Sequence, residues 1–380
     1  MTFNFDEEID RRHSDSRKWN AFAKDVLPMW VADMDFRSPD CIVDALRQRI
    51  EHGVFGYGNT PYGLIDVIIE RMARRYQWHI KPEWIVFLPG VVTGLNLSVR
   101  AFCQPNEATI APTPIYPPFR HASALAGCHQ RLSPLKKEQD RWVIDLAALE
   151  EHLQGNERLL MLCNPQNPGG TVYRREELEQ QLEFASRHDL IVCSDEIHCE
   201  LILAPDRQHI PFASLSEEAG RRSITLISPS KSFNIAGLGA SCAIIPDASL
   251  RKKFNATREG IVPAVDILAL SAAEAAWKDG DDWLARLLVY LRHNRDTLSR
   301  EINALPGLSM VSPEATYLAW IDASGLGLDN PARWFRQAGL GFSPGAEFGE
   351  PQFIRLNFGC RAALLDSALS RMRQAIDGLR

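Results

Sequence analysis

A series of short, unbroken apolar runs, each followed by a turn and then a longer helical pattern, constrains this chain more than any other feature. The runs are WIVFL (84–88), ATIAP (108–112), RLLMLC (158–163), LIVCS (190–194), ITLIS (224–228) and SCAIIP (241–246). A strand with one face in water alternates apolar and polar residues; an unbroken run suits a strand buried on both faces. Between the runs lie segments such as REELEQQLEFASRHD (175–189), with apolar residues at helical spacing. Strands covered on both faces by the helices that join them make an α/β domain around a mostly parallel sheet.

The texture changes after about residue 282. DWLARLLVYLRHNRDTLSREINAL (282–305) reads as one long amphipathic helix, and YLAWIDA (317–323) and FIRLNFG (353–359) as strands of a smaller unit. A chain of 380 residues exceeds one typical core, so two domains are expected. The first 45 or so residues fit neither pattern. They are expected to form an arm that joins the small domain or reaches a partner subunit. The expected division is residues 1–45 as arm, 46–282 as the large domain and 283–380 as a small α+β domain.

Charge and composition exclude several classes. The net charge is −6, and basic clusters such as RMARR (71–75) and YRREE (173–177) are broken by acids or apolar residues, so no nucleic-acid stripe is present. The start, MTFNFDEEIDRR, is acidic where a signal peptide would be basic, and no apolar stretch approaches the roughly 20 residues of a membrane span. A soluble, cytoplasmic protein is expected. Cys41, Cys103, Cys128, Cys163, Cys193, Cys199, Cys242 and Cys360 form no CxxC pair. They read as reduced thiols acting as small hydrophobes, and no metal site is expected.

In open parallel sheets, ligands bind outside the carboxyl ends of the strands, so the residues after each run matter most. After WIVFL comes PGVVTGLNLS (89–98), a turn entering a helix. The amides of Val91, Val92 and Thr93 would suit a phosphate, although an ordinary helix start reads equally well. After ATIAP, TPIYPPF (113–119) holds Tyr116 at the rim, either to stack on a flat ring or to pack between domains. After RLLMLC, NPQNPGG (164–170) fixes a turn that presents Asn167, or simply closes a tight loop. LIVC leads into SDEIH (194–198). An acid at the end of a buried strand is costly unless paired, so Asp195 is expected to meet a cation; His198 is either a ligand contact or a satisfied polar residue. ITLIS ends in PSKSFN, which presents Ser228, Ser230 and Lys231.

Singly these features are ambiguous. Together they offer a phosphate cradle, a stacking tyrosine, a polar asparagine, a buried carboxylate and an amine open to desolvation. Pyridoxal 5′-phosphate (PLP) meets all of them: its aldehyde forms a Schiff base with lysine, and its pyridinium needs an anionic partner. A lysine in an apolar, partly cationic site gives up its proton more readily, which favours the imine.

The chain resembles the fold-type I PLP enzymes of the class I/II aminotransferase superfamily and, within it, the cystathionine β-lyase (C–S lyase) subgroup. The matching stretches are LPMWVADMDFRSPD (27–40), FGYG (55–58), LPGVV (88–92), PIYPPF (114–119), LCNPQNPGG (162–170), SDEIHCEL (194–201), SPSKSFNIAGL (228–238), YLAW (317–320) and FIRLN (353–357). They run in family order across nearly the whole chain. MWVADMDF, SDEIH and SKSFN carry the subgroup match.

The resemblance implies a seven-stranded, mostly parallel sheet between helices in the large domain. It makes Lys231 the Schiff-base lysine and the acid/base at Cα. It puts Asp195 on the pyridine nitrogen, Asn167 on the phenolic oxygen, Tyr116 on the ring face and His198 beside that oxygen. Phosphate falls to Ser228, Ser230 and the amides around Val92, with Tyr57 reaching it from the neighbouring subunit of a homodimer. Arg355 would clamp the substrate α-carboxylate, with Ala32 and Asp33 near the mouth. The arm, the Tyr57–Tyr62 loop and SPGAEFG (343–349) would build the pocket beyond Cβ. One departure stands out: many aminotransferases place a phosphate-binding arginine eight residues after the lysine, where this chain has Gly239, a loss the C–S lyase subgroup shares. NPGG is a second departure, where a bulkier third residue or a basic fourth is common.

The implied activity is β-elimination from cystathionine or another S-substituted L-cysteine, including an S-oxide, giving thiol, pyruvate and ammonia. Transamination of an L-amino acid is the alternative and shares the first steps. Ser228-Pro-Ser-Lys231 also fits the S-x-x-K signature of β-lactamase-like acyl hydrolases, but the SDN and KTG elements of that class are absent from the sequence. A non-catalytic regulator on this fold would not need Lys231, Asp195, Asn167 and Arg355 together.

Overall fold

The computed structural model describes residues 3–379. In chain order its strands are β1 (Leu27–Pro28), β2 (Ile85–Leu88), β3 (Ala108–Thr113), β4 (His129–Glu138), β5 (Arg141–Ile144), β6 (Glu157–Cys163), β7 (Ile191–Asp195), β8 (Ser223–Ile227) and β9 (Ser241–Ile244). The last five are β10 (Ser309–Met310), β11 (Leu318–Asp322), β12 (Leu340–Gly341), β13 (Ser343–Pro344) and β14 (Phe353–Asn357). The main sheet has the order β2-β9-β8-β7-β6-β3-β4-β5, and only β9 and β5 run against the rest.

Every apolar run of the sequence becomes a strand of this sheet. Along β6, Leu159, Met161 and Cys163 face one apolar layer while Leu160 and Leu162 face the other. The first layer holds helix Val91–Phe102 through Val91, Leu95 and Val99. The second holds helix Arg175–Arg187 through Leu178 and Phe184. Two occupied faces explain why the run does not alternate.

The sheet has eight strands where the resemblance implied seven. β4 and β5 form a hairpin at the sheet edge, turning at Gln139 and Asp140, both in the left-handed region (φ 48° and 57°). β4 is mostly solvated, so its sequence HQRLSPLKKE carries none of the apolar signal that marks the central strands.

Beyond the sheet, β10, β11, β14 and β13 form an antiparallel sheet in that order, with helices Asp281–Ala304 and Ala362–Asp377 contributing to the adjoining core. β1 of the N-terminal segment pairs in parallel with β12. Helix Asp40–Glu51 crosses the position expected to end the arm and packs on helix Ile267–Asp279. All eight cysteines are free thiols, with Cys41 and Cys128 half-buried and the others buried. Among the described residues no helix is long and apolar enough to cross a membrane.

Candidate active site

The parallel strands end on one side of the sheet, where their loops close a cavity of about 290 Å³. After β2, Gly90 (φ +153°) turns the chain into helix Val91–Phe102, and Val91, Val92 and Thr93 line the cavity. The Gly90 carbonyl takes the Thr93 amide at 3.1 Å, so an anion here would draw on the amides of Val91 and Val92. Beside them Ser228 donates from Oγ to the Ala240 carbonyl at 2.6 Å and accepts from the Ser230 amide at 3.1 Å.

Gly239 lines the same corner with φ +68°, and a Cβ there would lie 2.9 Å from the Pro89 carbonyl oxygen. The position that carries an arginine in many aminotransferases is thus bare backbone, because strand end and loop pass too close for a side chain.

Asp195 is the last residue of β7, paired with Cys163 on one side and Leu226 on the other. Among the described residues its carboxylate accepts only from the Ile197 amide, at 3.1 Å. Burial pushes the carboxyl up to about 7, against the pull of that amide. Lys231 donates from Nζ to the Ala32 carbonyl at 2.7 Å; burial first, and the Arg355 charge second, bring its amine down to about 8. His198 is buried with Nδ1 unpartnered among the described residues, and burial lowers it to about 3, so the ring is neutral. Its edge meets Tyr317 with ring centroids 6.2 Å apart.

Arg355, in β14, closes the cavity from the small sheet. Its guanidinium donates to Asn167 Oδ1 at 3.0 Å, to the Trp30 carbonyl at 3.0 Å and to Ser343 Oγ at 3.3 Å. The Phe348 ring lies 4.6 Å from its Cζ, and its Nε has no partner among the described residues. Burial lowers its pKa to about 10, which leaves it cationic at neutral pH. Tyr116 precedes helix Pro117–Ala126, lines the cavity, and has its phenol raised by burial.

The set fits PLP. Asp195 lacks a bonded cation, Lys231 is an amine held near neutrality, and two serines with free helix-start amides make an anion corner. Tyr116 and the neutral His198 supply flat partners, and the Asn167 amide keeps its hydrogens for an acceptor after Oδ1 is taken by Arg355.

All the residues singled out in the sequence line this one cavity except Tyr57 and Asp33. Tyr57 is fully exposed, away from the cavity of its own chain, and the Tyr57–Tyr62 loop takes no part in the lining. Asp33 turns its carboxylate to Arg11, at 3.1 and 3.2 Å, so the wall at this point is Val31 and Ala32. SPGAEFG does not simply wall a pocket beyond Cβ: its Ser343 and Phe348 grip Arg355. Sequence reasoning missed Trp30, Tyr317 and Ala240, which act through backbone oxygens or pack behind the lining. A carbonyl has no signature in a sequence.

Residues 24–372 match the family model described as aminotransferase class I and II. Cystathionine β-lyase PatB of Bacillus subtilis is 39% identical over 387 residues, covering 98% of this chain and 100% of that protein. Among solved structures, the crystal structure of OvoB is 61% identical with a TM-score of 0.97, covering 98% of this chain and 99% of that one. The PLP-bound C–S lyase of Staphylococcus hominis is 31% identical with a TM-score of 0.92, covering 99% and 98%. Full-length matches of this kind, on a fold whose strand ends assemble a cavity shaped for PLP, show that the chain belongs to the aminotransferase class I and II family, of PLP fold type I.

Proposed function

We propose that this protein is a PLP-dependent carbon–sulfur β-lyase that cleaves the Cβ–S bond of cystathionine or another S-substituted L-cysteine, with water, to thiol, pyruvate and ammonia; an S-oxide would give the sulfenic acid in place of the thiol. The observation that carries the reading is the meeting, in one cavity, of the Lys231 amine, the Asp195 carboxylate, which has no bonded cation among the described residues, and the buried Arg355 fork. PLP, when bound, withdraws electrons from the substrate's Cα and so makes its proton removable.

The chain's own residues do the rest. Asp195 supplies the negative charge for a protonated ring nitrogen. Asn167 and the neutral His198 sit by the ring's oxygen, and Tyr116 covers a face. Ser228, Ser230 and the amides of Val91 and Val92 hold the phosphate. Arg355 binds the α-carboxylate through both guanidinium arms, which sets the Cα–H bond toward Lys231. Lys231, with its amine near 8, takes the proton at Cα as a general base, and the sulfur departs from Cβ as thiolate, or from an S-oxide as sulfenate. Ala32 closes the substrate side.

The active unit in this reading is a cytoplasmic homodimer, with Tyr57 of each subunit reaching the other's phosphate; its full exposure on a single chain supports that role. Residues 46–282 form the PLP-binding unit, and residues 283–380 with the arm of residues 1–45 carry Arg355 and the substrate wall. The test is an absorbance spectrum of the purified protein followed by addition of L-cystathionine. A visible imine band, pyruvate and thiol release, and loss of both band and activity in Lys231→Ala, by roughly 10²–10⁴-fold or more, are expected. Conversion of the cofactor to its amine form without pyruvate would establish the transaminase instead.

A further inference from the structure

Of residues 31–36, Ala32 meets Lys231 through its backbone carbonyl, and two buried or half-buried asparagine side chains hold the backbone of this stretch. Asn357, fully buried, donates from Nδ2 to the carbonyls of Val31 and Asp33, both at 2.6 Å, and accepts the Gly359 amide at 2.7 Å. Asn234 accepts the Met34 amide at 2.9 Å and donates to the carbonyls of Met34 (3.0 Å) and Phe36 (2.7 Å). The two come from the motifs that carry the chemistry: Asn234 lies three residues after Lys231, and Asn357 two after Arg355. Between the carbonyls held by Asn357 stands that of Ala32, which accepts from Lys231 Nζ at 2.7 Å and from the Tyr317 hydroxyl at 3.1 Å.

Fixing the arm does not by itself require this arrangement. Arg11, Lys18 and Trp19 already bind the Asp35 carboxylate, at 2.7 to 2.8 Å. Asn357 adds control over the orientation of the peptides on either side of Ala32, and Asn234 fixes the chain just beyond them, at Met34 and Phe36. On the reading of Lys231 given above, we propose that Asn357 and Asn234 are positioning residues that hold the Ala32 carbonyl as the resting acceptor for the Lys231 amine whenever that amine is not bonded to the cofactor. A carbonyl bonds an ammonium more strongly than a neutral amine, so this acceptor favours the protonated lysine and opposes the effect of burial. The other groups acting on Lys231 are the charges of Arg355, Asp33 and Asp195, with neutral His198 nearby and Tyr317 reaching it through Ala32.

The experiment uses the full chain stripped of PLP. Cofactor is returned at a series of pH values, and the growth of the imine band is timed, which reports the fraction of Lys231 present as free amine. The wild-type midpoint is expected near 8. Asn357→Ala lets the Ala32 peptide turn away and lowers the midpoint by about one unit, about tenfold in the protonation equilibrium. Tyr317→Phe removes the competing donor, leaves the carbonyl wholly to Lys231, and raises the midpoint. Opposite shifts are not what two generally loosening substitutions would give. If Asn357→Ala yields no folded protein, Asn234→Ala takes its place and must show the same downward shift. Normal bands with unmoved midpoints overturn this proposal alone. A wild-type protein without a band, or one whose band survives Lys231→Ala, overturns the reading of Lys231 and this proposal with it.

Discussion

The two walls of the cavity are built on different terms. The wall at the strand ends presents side chains displaced from their ordinary protonation: Asp195 pushed up to about 7, His198 down to about 3 and Lys231 down to about 8, each chiefly by burial. The wall from the arm and the small sheet presents backbone carbonyls of Trp30, Val31 and Ala32 and the guanidinium of Arg355, lowered by burial to about 10 but still cationic and gripped on several sides. Burial bears on the charges of both, but only the first holds groups whose ionisation changes near neutral pH and can be relieved by a ligand; Arg355 stays cationic, and its wall stores geometry. Substitutions on the first should therefore change titration and cofactor binding, and on the second, substrate orientation.

The largest effect is expected at Asp195. Asp195→Asn keeps the shape and removes the anion that a protonated ring nitrogen needs, lowering kcat/KM by roughly 10²–10³-fold. The same change should stabilise the cofactor-free protein at neutral pH. The folded carboxyl titrates near 7 and the unfolded one near its ordinary value of 3.8. Between those values the folded state keeps a proton the unfolded state has lost, so the contribution of Asp195 to stability is greatest below about 4 and falls as pH rises to about 7. Asn cannot ionise and removes that slope, worth about 2–4 kcal/mol at neutral pH. Urea unfolding of cofactor-free protein at acid and neutral pH measures it. A variant no more stable than wild type at neutral pH would break the claim that this wall stores charge.

Arg355→Lys probes the opposite wall. It keeps the positive charge but gives up the fork, and a lysine cannot serve Asn167, the Trp30 carbonyl and Ser343 together. KM for an S-substituted cysteine should rise about 10–100-fold, while the imine band and its pH midpoint stay close to wild type. A displaced midpoint would show that the two walls are not separable.

How much of this was legible in the sequence follows the same division. The central strands and the residues at their ends could be read because burial on both faces leaves an unbroken apolar run, and the residue after it must then be at the sheet's edge. Asp195, Asn167, Ser228 and Lys231 were found in that way. The β4–β5 hairpin escaped because an edge strand in water has no such run. On the other wall, Arg355 was reached through the resemblance of FIRLN, not through periodicity, and the ion pair of Asp33 with Arg11, 22 positions away, had no local signal. The roles of Asn234 and Asn357 depend on contacts with residues some 200 and 325 positions distant, which no local pattern encodes.

Gly239→Ala has a smaller effect, and it falls back on the charge-bearing wall. A Cβ at φ +68° costs roughly 1 kcal/mol in backbone strain, and the Pro89 carbonyl 2.9 Å away must also shift. Pro89 leads directly into the Gly90–Val91 turn, so the displacement reaches the anion corner. Affinity for PLP should fall about tenfold, with KM for substrate little changed; equilibrium dialysis of the cofactor separates the two.

Ser343→Ala is the mildest cut and tests the geometric wall most narrowly. Its hydroxyl accepts from Arg355 at 3.3 Å and donates to the Trp30 carbonyl at 2.9 Å, so it ties the small sheet to the arm through the group proposed to hold the substrate carboxylate. The Trp30 carbonyl keeps its second bond, from Arg355 at 3.0 Å, and Asn167 and Phe348 still hold the guanidinium. One neutral hydrogen bond of this kind contributes about 0.5–1.5 kcal/mol, a rise in KM of about 2- to 10-fold. If Arg355 binds the α-carboxylate as proposed and the hydroxyl acts on its orientation, the loss should be the same for every S-substituted cysteine, whatever sulfur group it carries, since all share that carboxylate. A loss confined to substrates with bulky sulfur groups would move Ser343 out of the carboxylate clamp and into the pocket beyond Cβ, and with it the boundary drawn here between the wall that orients and the space that selects.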